Sequence, residues 1–281
     1  MQHEEAGATM RVLMLADIHS NWPALQAIVE AESFDVCLVA GDLVDYLADP
    51  APCIEWCRNH ARSVIRGNHD HAVAQRVAAR GGSGFRRLAA ATRPLHWQLV
   101  SPRRLKYLGR LPVTRYERLE VGSDRQRSIF LVHGTPRDPL DEYLRANEAA
   151  WTDRLSEVDP GYVCVGHTHE PMHLQLERHE VINPGSVGQP RDGQPGAAYA
   201  VLENGRVHLR RQPYDITATL RQMREVGVAP WAVDLTEAVL KNGGQLSKSE
   251  MDAFDPDATA DAADDDDAEP NERDDIRDGG E

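Results

Sequence analysis

Residues 10–21, Met10-Arg11-Val12-Leu13-Met14-Leu15-Ala16-Asp17-Ile18-His19-Ser20-Asn21, pass from an unbroken apolar stretch straight into an aspartate and a histidine. A short, wholly apolar run reads as a strand buried on both faces. Asp17 and His19 lie two apart, so in extended backbone their side chains point the same way. The same order recurs four more times. Val36 to Ala40 leads into Gly41-Asp42-Leu43-Val44-Asp45, and the strand begun by Val64-Ile65 leads into Gly67-Asn68-His69-Asp70. Ile129 to Val132 ends in His133-Gly134, and Tyr162 to Val165 ends in Gly166-His167-Thr168-His169. In α/β sheets ligands bind beyond the carboxyl ends of the strands, so five such ends predict one shared site. Asp, His and Asn without a thiolate select Mn, Fe, Zn, Co or Ni over a structural zinc site, and histidine argues against Mg or Ca.

Working outward, Asn21 to Ala31 reads as a helix with Pro23 in its first turn. Pro52 to His60 reads as a second, and His71 to Ala91 as a long helical stretch interrupted by Gly81, Gly82 and Gly84. Glu180 to Ile182, Ala197 to Leu202 and Val207 to Arg211 read as closing antiparallel strands, the last two joined by Glu203-Asn204-Gly205. Asp215 to Val226 and Ala232 to Leu240 read as two further helices. Alternating strands and helices in the first half predict parallel β-α-β pairing, and the second half predicts a mixed sheet or a second sheet packed on the first.

The chain has 281 residues, 41% hydrophobic, enough for one domain with a sizeable core. Its net charge of −14 is unevenly placed: residues 252–281 hold fourteen Asp or Glu against two Arg, which leaves −2 for the rest. The expected division is a flexible extension over residues 1–9, a catalytic domain over 10–242 and an acidic disordered tail over 243–281. A nearly neutral core has no global attraction for long nucleic acids. No apolar run approaches the roughly 20 residues of a membrane helix, and the first nine residues lack a signal-like apolar stretch. The expectation is a cytoplasmic protein without a membrane partner. Cys37, Cys53, Cys57 and Cys164 read as buried free thiols. Asp70 reads as helix N-terminal charge, and His60, His71, His96, His173, His179 and His208 as ordinary histidines.

The five blocks, in this order, resemble the calcineurin-like metallophosphoesterase superfamily in its small bacterial and archaeal branch, from about Met10 to Pro213. The resemblance implies an α/β fold: a two-sheet β-sandwich flanked by helices, four layers αββα, with a dinuclear metal site at the strand ends. It implies that Asp17, His19 and His169 hold one divalent transition-metal ion, that Asn68, His133 and His167 hold a second, and that Asp42 bridges the two. Manganese comes first, with Fe, Zn, Co or Ni as alternatives. It further implies that His69 approaches the scissile phosphate with its ring oriented by Asp45, and that Asn21 and Arg191, the latter in the segment Asn183 to Arg191, contact phosphate. The implied reaction is hydrolysis of a phosphodiester or small phosphomonoester by a hydroxide held between the metals, without a covalent intermediate. A small phosphorylated substrate is then the partner, and homo-oligomerisation stays open.

One residue departs from part of that superfamily. Its protein serine/threonine phosphatases have an arginine directly after the equivalent of Asp45, where this chain has Tyr46. A planar two-pronged grip on a monoester is missing there, which favours diesters or small phosphorylated molecules. Two other readings keep the fold. One is a metal-binding regulatory or scaffold protein, disfavoured because a scaffold needs neither His69 nor Asp45. The other is a metal-dependent nuclease, disfavoured by the neutral core.

Overall fold

In the computed structural model, residues 10–79, 84–120, 126–159 and 161–254 are described. The opening apolar run becomes β1 (Arg11–Leu15). Its side chains alternate, with Val12 and Met14 facing one buried layer and Leu13 and Leu15 another. The helix α1 (Trp22–Ala31) starts at the Asn21 cap and buries Ala24, Leu25 and Ile28 against the Leu13 and Leu15 side. The strand β2 (Val36–Val39) pairs in parallel with β1, α2 (Pro50–His60) returns over the same face, and β3 (Ser63–Val64) adds to β2. The short α3 (Asn68–Ala74) follows at once.

The long helical stretch expected over residues 71–91 is two separate helices. α3 ends at Ala74, and α4 (Phe85–Leu99) begins after Gly84, whose φ is +57°, and continues through Pro94. Gly84 sits in the left-handed region that a helix cannot use, so α4 begins only after it. Residues 80–83 lie outside the described residues. α5 (Pro102–Leu108) then leads to β4 (Thr114–Glu120) and β5 (Gln126–Val132). After α6 (Glu148–Arg154) come β6 (Gly161–Cys164), β7 (Met172–Gln175), β8 (His179–Asn183), β9 (Ala197–Glu203) and β10 (Arg206–Gln212). The chain continues with α7 (Ile216–Glu225), α8 (Pro230–Asn242) and α9 (Lys248–Asp252).

The strands form two mixed five-stranded sheets, ordered β10-β9-β1-β2-β3 and β4-β5-β6-β8-β7. The sheets pack face to face through Val12, Met14, Leu38, Ile129, Leu131, Tyr162, Ile182 and Leu202. Each such side chain contributes roughly 1.5–3 kcal/mol by leaving water. The first sheet is covered by α1 and α2, and the outer face of the second by Trp151 and Leu155 of the α6 region, so the layers run αββα as expected. In the first sheet β1, β2 and β3 run parallel, and in the second β5, β6 and β8 do, which brings their carboxyl ends to common edges.

The segment assigned to the acidic tail from residue 243 includes α9, whose capping box joins Ser247 and Glu250 and whose Met251 is buried beside α4, α7 and α8. Ordered structure therefore reaches at least Phe254. The extension over residues 1–9 and the acidic run from 255 onward lie outside the described residues. All four cysteines are free and buried.

Candidate metal centre

Three of the five strand ends, the first, second and fifth, turn sharply through left-handed backbone. Among the described residues ten non-glycine positions have positive φ, and eight are here: Asp17, His19, Ser20, Asp42, Asp45, Tyr46, His167 and His169. Left-handed backbone at such residues costs about 1–3 kcal/mol each and persists only where the surroundings enforce it. The glycines allow the loops to close on one another. A Cβ at Gly67 would lie 2.0 Å from Asp42 Oδ1, and one at Gly166 would lie 3.0 Å from Asp17 Oδ2. Asp70 fastens two of the loops. Its carboxylate accepts the N–H groups of Asp42 (2.9 Å), Leu43 (2.8 Å) and Gly67 (3.1 Å). It is a clasp between the second and third strand ends as well as a charge in the first turn of α3. Burial, reinforced by Asp42, pushes its pKa up to about 7.

The structure brings the seven expected ligands to one place. His19 Nδ1 donates to Val44 O (3.0 Å), His133 Nδ1 to Ala40 O (2.7 Å) and His169 Nδ1 to Gln189 O (2.6 Å). A carbonyl can only accept, so each bond fixes the tautomer and turns Nε2 inward. His19 Nε2 and His169 Nε2 then face each other at 3.1 Å. Asp42 Oδ2 lies 3.2 Å from His133 Nε2 and 3.8 Å from His19 Nε2, between two of the expected ligands. That oxygen is buried and has no hydrogen-bond partner. Asp17 Oδ1 lies 3.7 Å from His169 Nε2, Asn68 Oδ1 lies 3.2 Å from His133 Nε2, and the His167 ring centroid is 5.1 Å from that of His133. Two subsets, Asp17-His19-His169 and Asp17-Asp42-His133, have ligand atoms close enough for a single ion.

The electrostatics fit a cation. Burial drives the pKa of His19 and of His167 down to about 3, and burial together with Arg191 and His19 holds His169 well below its ordinary value. These rings therefore keep their lone pairs. His133 goes the other way: burial opposes its charge, but Asp42 and Asp17 outweigh burial and raise it to about 10. Burial also raises Asp17 to about 7, while at Asp42 the histidines His133 and His69 overcome burial and hold the carboxyl ionised. The neutral His19 and His169 turn ring nitrogens on each other at 3.1 Å beside the Asp42 carboxylate, an arrangement that positive charge between them would relieve, so the donor set fits divalent metal.

The other expected site residues divide. His69 is not among the clustered ligands. Its Nδ1–H donates to Asp45 Oδ2 at 2.8 Å, and its backbone N–H holds Asp42 Oδ1 at 2.9 Å. Arg191 reaches the rim: it stacks 4.0 Å over Phe85 and donates to Tyr46 Oη (3.4 Å) and Gln189 Oε1 (3.2 Å). The Tyr46 ring in turn packs 4.7 Å from that of His19 and 4.6 Å from that of His69. Asn21 has a different task from the phosphate contact expected of it. It is fully buried and caps α1 by accepting from Ala24 N, while its amide donates to Gly188 O and Tyr214 Oη, both at 3.0 Å, and its Oδ1 accepts from Thr219 Oγ1 at 2.9 Å. Its hydrogen-bonding capacity is spent inside the protein. Three contributors went unread in the sequence: Thr92, Arg93 and His96, all on α4 and all bonded to Asp45. The one local signal is His96, which reads from sequence as an ordinary histidine.

A sandwich of two mixed sheets with Asp and His ligands converging at its strand ends defines a metal-binding scaffold of phosphoesterase type. The family model described as the calcineurin-like phosphoesterase superfamily domain matches residues 10–205, and the chain belongs to that superfamily. It is 32% identical to a metallophosphoesterase from Sphaerobacter thermophilus, whose structure superposes with a TM-score of 0.66 and covers 84% of this chain and 99% of that one. It is 26% identical to the Methanocaldococcus jannaschii protein MJ0912, over 78% of this chain and 94% of the relative. It is 28% identical to the phosphodiesterase YfcE of Escherichia coli, over 69% of this chain and 88% of YfcE. No helix among the described residues is long and apolar enough to cross a membrane.

Proposed function

We propose that this protein hydrolyses a phosphodiester or small phosphomonoester using two divalent transition-metal ions, manganese first. The observation that carries the reading is the buried Asp42 Oδ2 set between His133 and His19, with the His69–Asp45 pair beside it. Asp17, His19 and His169 would hold one ion and Asn68, His133 and His167 the other, with Asp42 shared. When bound, such a pair supplies an acidified water nucleophile and neutralises phosphate charge.

The chain's own residues do the rest. The carbonyls of Val44, Ala40 and Gln189 keep the ligand imidazoles in one tautomer, so no reorientation precedes binding. Arg191, oriented by Phe85 and Tyr46, offers a guanidinium to the phosphate oxygens. An arginine from the loop after β8 thus stands next to Tyr46, the position where serine/threonine phosphatases of the superfamily carry theirs. His69, with Nδ1–H committed to Asp45, has Nε2 left to deliver a proton to the departing oxygen.

Metal-reconstituted protein assayed on bis(p-nitrophenyl) phosphate and p-nitrophenyl phosphate, with manganese and after chelation, tests the proposal. Turnover of at least one ester that chelation abolishes and manganese restores supports it. A folded, metal-loaded protein that cleaves neither, nor any member of a panel of phosphorylated metabolites, returns the site to a regulatory or scaffold role.

A further inference from the structure

The segment between the third and fourth strand ends supplies no expected ligand, yet α4 lies directly against the His69–Asp45 pair. Its buried face includes Leu88, Ala89, Thr92, Arg93 and His96. Asp45 Oδ2, which holds His69 Nδ1 at 2.8 Å, also accepts from Arg93 Nε at 2.7 Å and lies 2.6 Å from Arg93 Nη2. Asp45 Oδ1 accepts from Thr92 Oγ1 at 3.4 Å. The Asp45 N–H donates to His96 Nδ1 at 3.0 Å, and His96 Nε2 donates to Leu47 O at 2.6 Å. One helix therefore holds both carboxylate oxygens and the backbone on either side of Tyr46. That backbone needs holding, because Asp45 and Tyr46 both have positive φ, at 78° and 58°.

We propose that Arg93 is a positioning residue for hydrolysis at this site: its guanidinium fixes the Asp45 carboxylate so that Oδ2 keeps the His69 ring aimed at the metal cluster. The inference rests on His69 acting as the proton donor proposed above. Arg93 Nη2 lies 3.2 Å from His69 Nδ1, and both groups point hydrogens at the same oxygen. Two donors cannot bond each other, so the guanidinium backs the imidazole without replacing its partner. If the ring swings away from Asp45, Nδ1–H faces a cation and finds no acceptor there. Arg93 Nη1 is tied to Val77 O at 3.4 Å, and its side chain is almost fully buried, so the fork cannot follow a moving carboxylate. A lysine would supply charge without that two-point geometry. No contact of Arg93 reaches a proposed metal ligand, so its effect should pass through Asp45 and His69 alone.

The test is a cycle in the full-length, manganese-loaded protein, crossing Arg93→Met and Arg93→Lys with His69→Ala. Metal content per chain should be unchanged throughout. In the wild-type background Arg93→Met should lower kcat by about 10- to 100-fold, the range for losing a supporting contact at a metal site, with KM unchanged and Arg93→Lys falling between. In the His69→Ala background neither change should lower kcat further, because the residue being positioned is gone. Equal losses in both backgrounds would overturn the inference and leave a structural ion pair. Should Arg93→Met not fold, Arg93→Lys completes the same cycle. A second readout is independent of turnover: in the zinc-loaded protein the His69 Nδ1–H proton should give a protected downfield NMR signal that Arg93→Met broadens or abolishes. If the wild type hydrolyses nothing, the proposed function fails, and this signal alone decides the role of Arg93: loss supports it and persistence overturns it.

Discussion

Replacing His69 and His133 by alanine, one at a time, separates chemistry from metal holding. His69 packs its ring edge-on 5.0 Å from that of His19, but its hydrogen bond to the cluster runs through the backbone, whose N–H donates to Asp42 Oδ1 at 2.9 Å. Alanine keeps that bond, so Asp42 should stay in place and His69→Ala should retain nearly all its metal. What alanine removes is the imidazole held by Asp45 at 2.8 Å. Turnover should then fall by about 10²- to 10⁴-fold, the usual range for a lost general acid. The loss should be larger for alkyl esters, whose leaving oxygen needs a proton, than for nitrophenyl esters, whose leaving group does not. His133 is fully buried, with Nε2 3.2 Å from both Asp42 Oδ2 and Asn68 Oδ1. His133→Ala removes a donor from the middle of the cluster and leaves the Ala40 carbonyl without its partner. It should lose metal first and activity as a consequence, with partial rescue by excess manganese. The assay is elemental analysis of both variants plus turnover on one alkyl and one nitrophenyl ester. Equal losses on both esters with metal retained would falsify the acid role of His69 and leave it only electrostatic stabilisation of the phosphate.

Three further outcomes follow from the geometry. Asn21→Ala should cost about 2–4 kcal/mol in denaturant unfolding, from a lost cap and buried groups left unpaired at Gly188 O and Thr219; kcat and KM of the folded fraction should not change, whereas a raised KM would restore its phosphate contact. Metal uptake near neutral pH should release about one to two protons per chain, because His133, raised to about 10, and Asp17, raised to about 7, hold protons there until a cation displaces them. The sign is that apparent metal affinity rises as pH rises toward that value, and calorimetry in buffers of different ionisation enthalpy that finds no proton release refutes it. A chain ending after Phe254 should melt like the full-length protein, whereas one ending at Gly243 should lose about 1.5–3 kcal/mol with the burial of Met251 against α4 and α8; identical melting of the two would show that α9 contributes nothing.

The metal cluster was legible because of how strands end. Each of these ligands follows an apolar run at once or within a residue or two, so Asp17, Asp42, Asn68, His133 and His167 could be placed at one edge without knowing the sheet order. The phosphate contact expected of Asn21 came from the resemblance and not from this rule, and the packing of Gly188, Tyr214 and Thr219 around it engages its amide within the protein. The edge strands β4 and β7 and the short α6 were not read at all. Thr114–Glu120 mixes charge with apolar residues on an edge, and a seven-residue helix is too short for periodicity to register.

Arg93 was invisible for a deeper reason. In Ala90-Ala91-Thr92-Arg93-Pro94 an arginine on an amphipathic helix has the composition of a solvent-facing residue, and burial is the observation that overrules it. The strand ends can be read because backbone geometry alone delivers their side chains to the site. A helix that arrives from a distant part of the chain carries no such mark. Its registration on Asp45 depends on a tertiary contact between residues 45 and 93 that no local pattern encodes. The expected ligands and the residues that hold them in place therefore follow different rules. The first set is written into the ends of strands, and the second into whichever face of a neighbouring helix the fold turns inward.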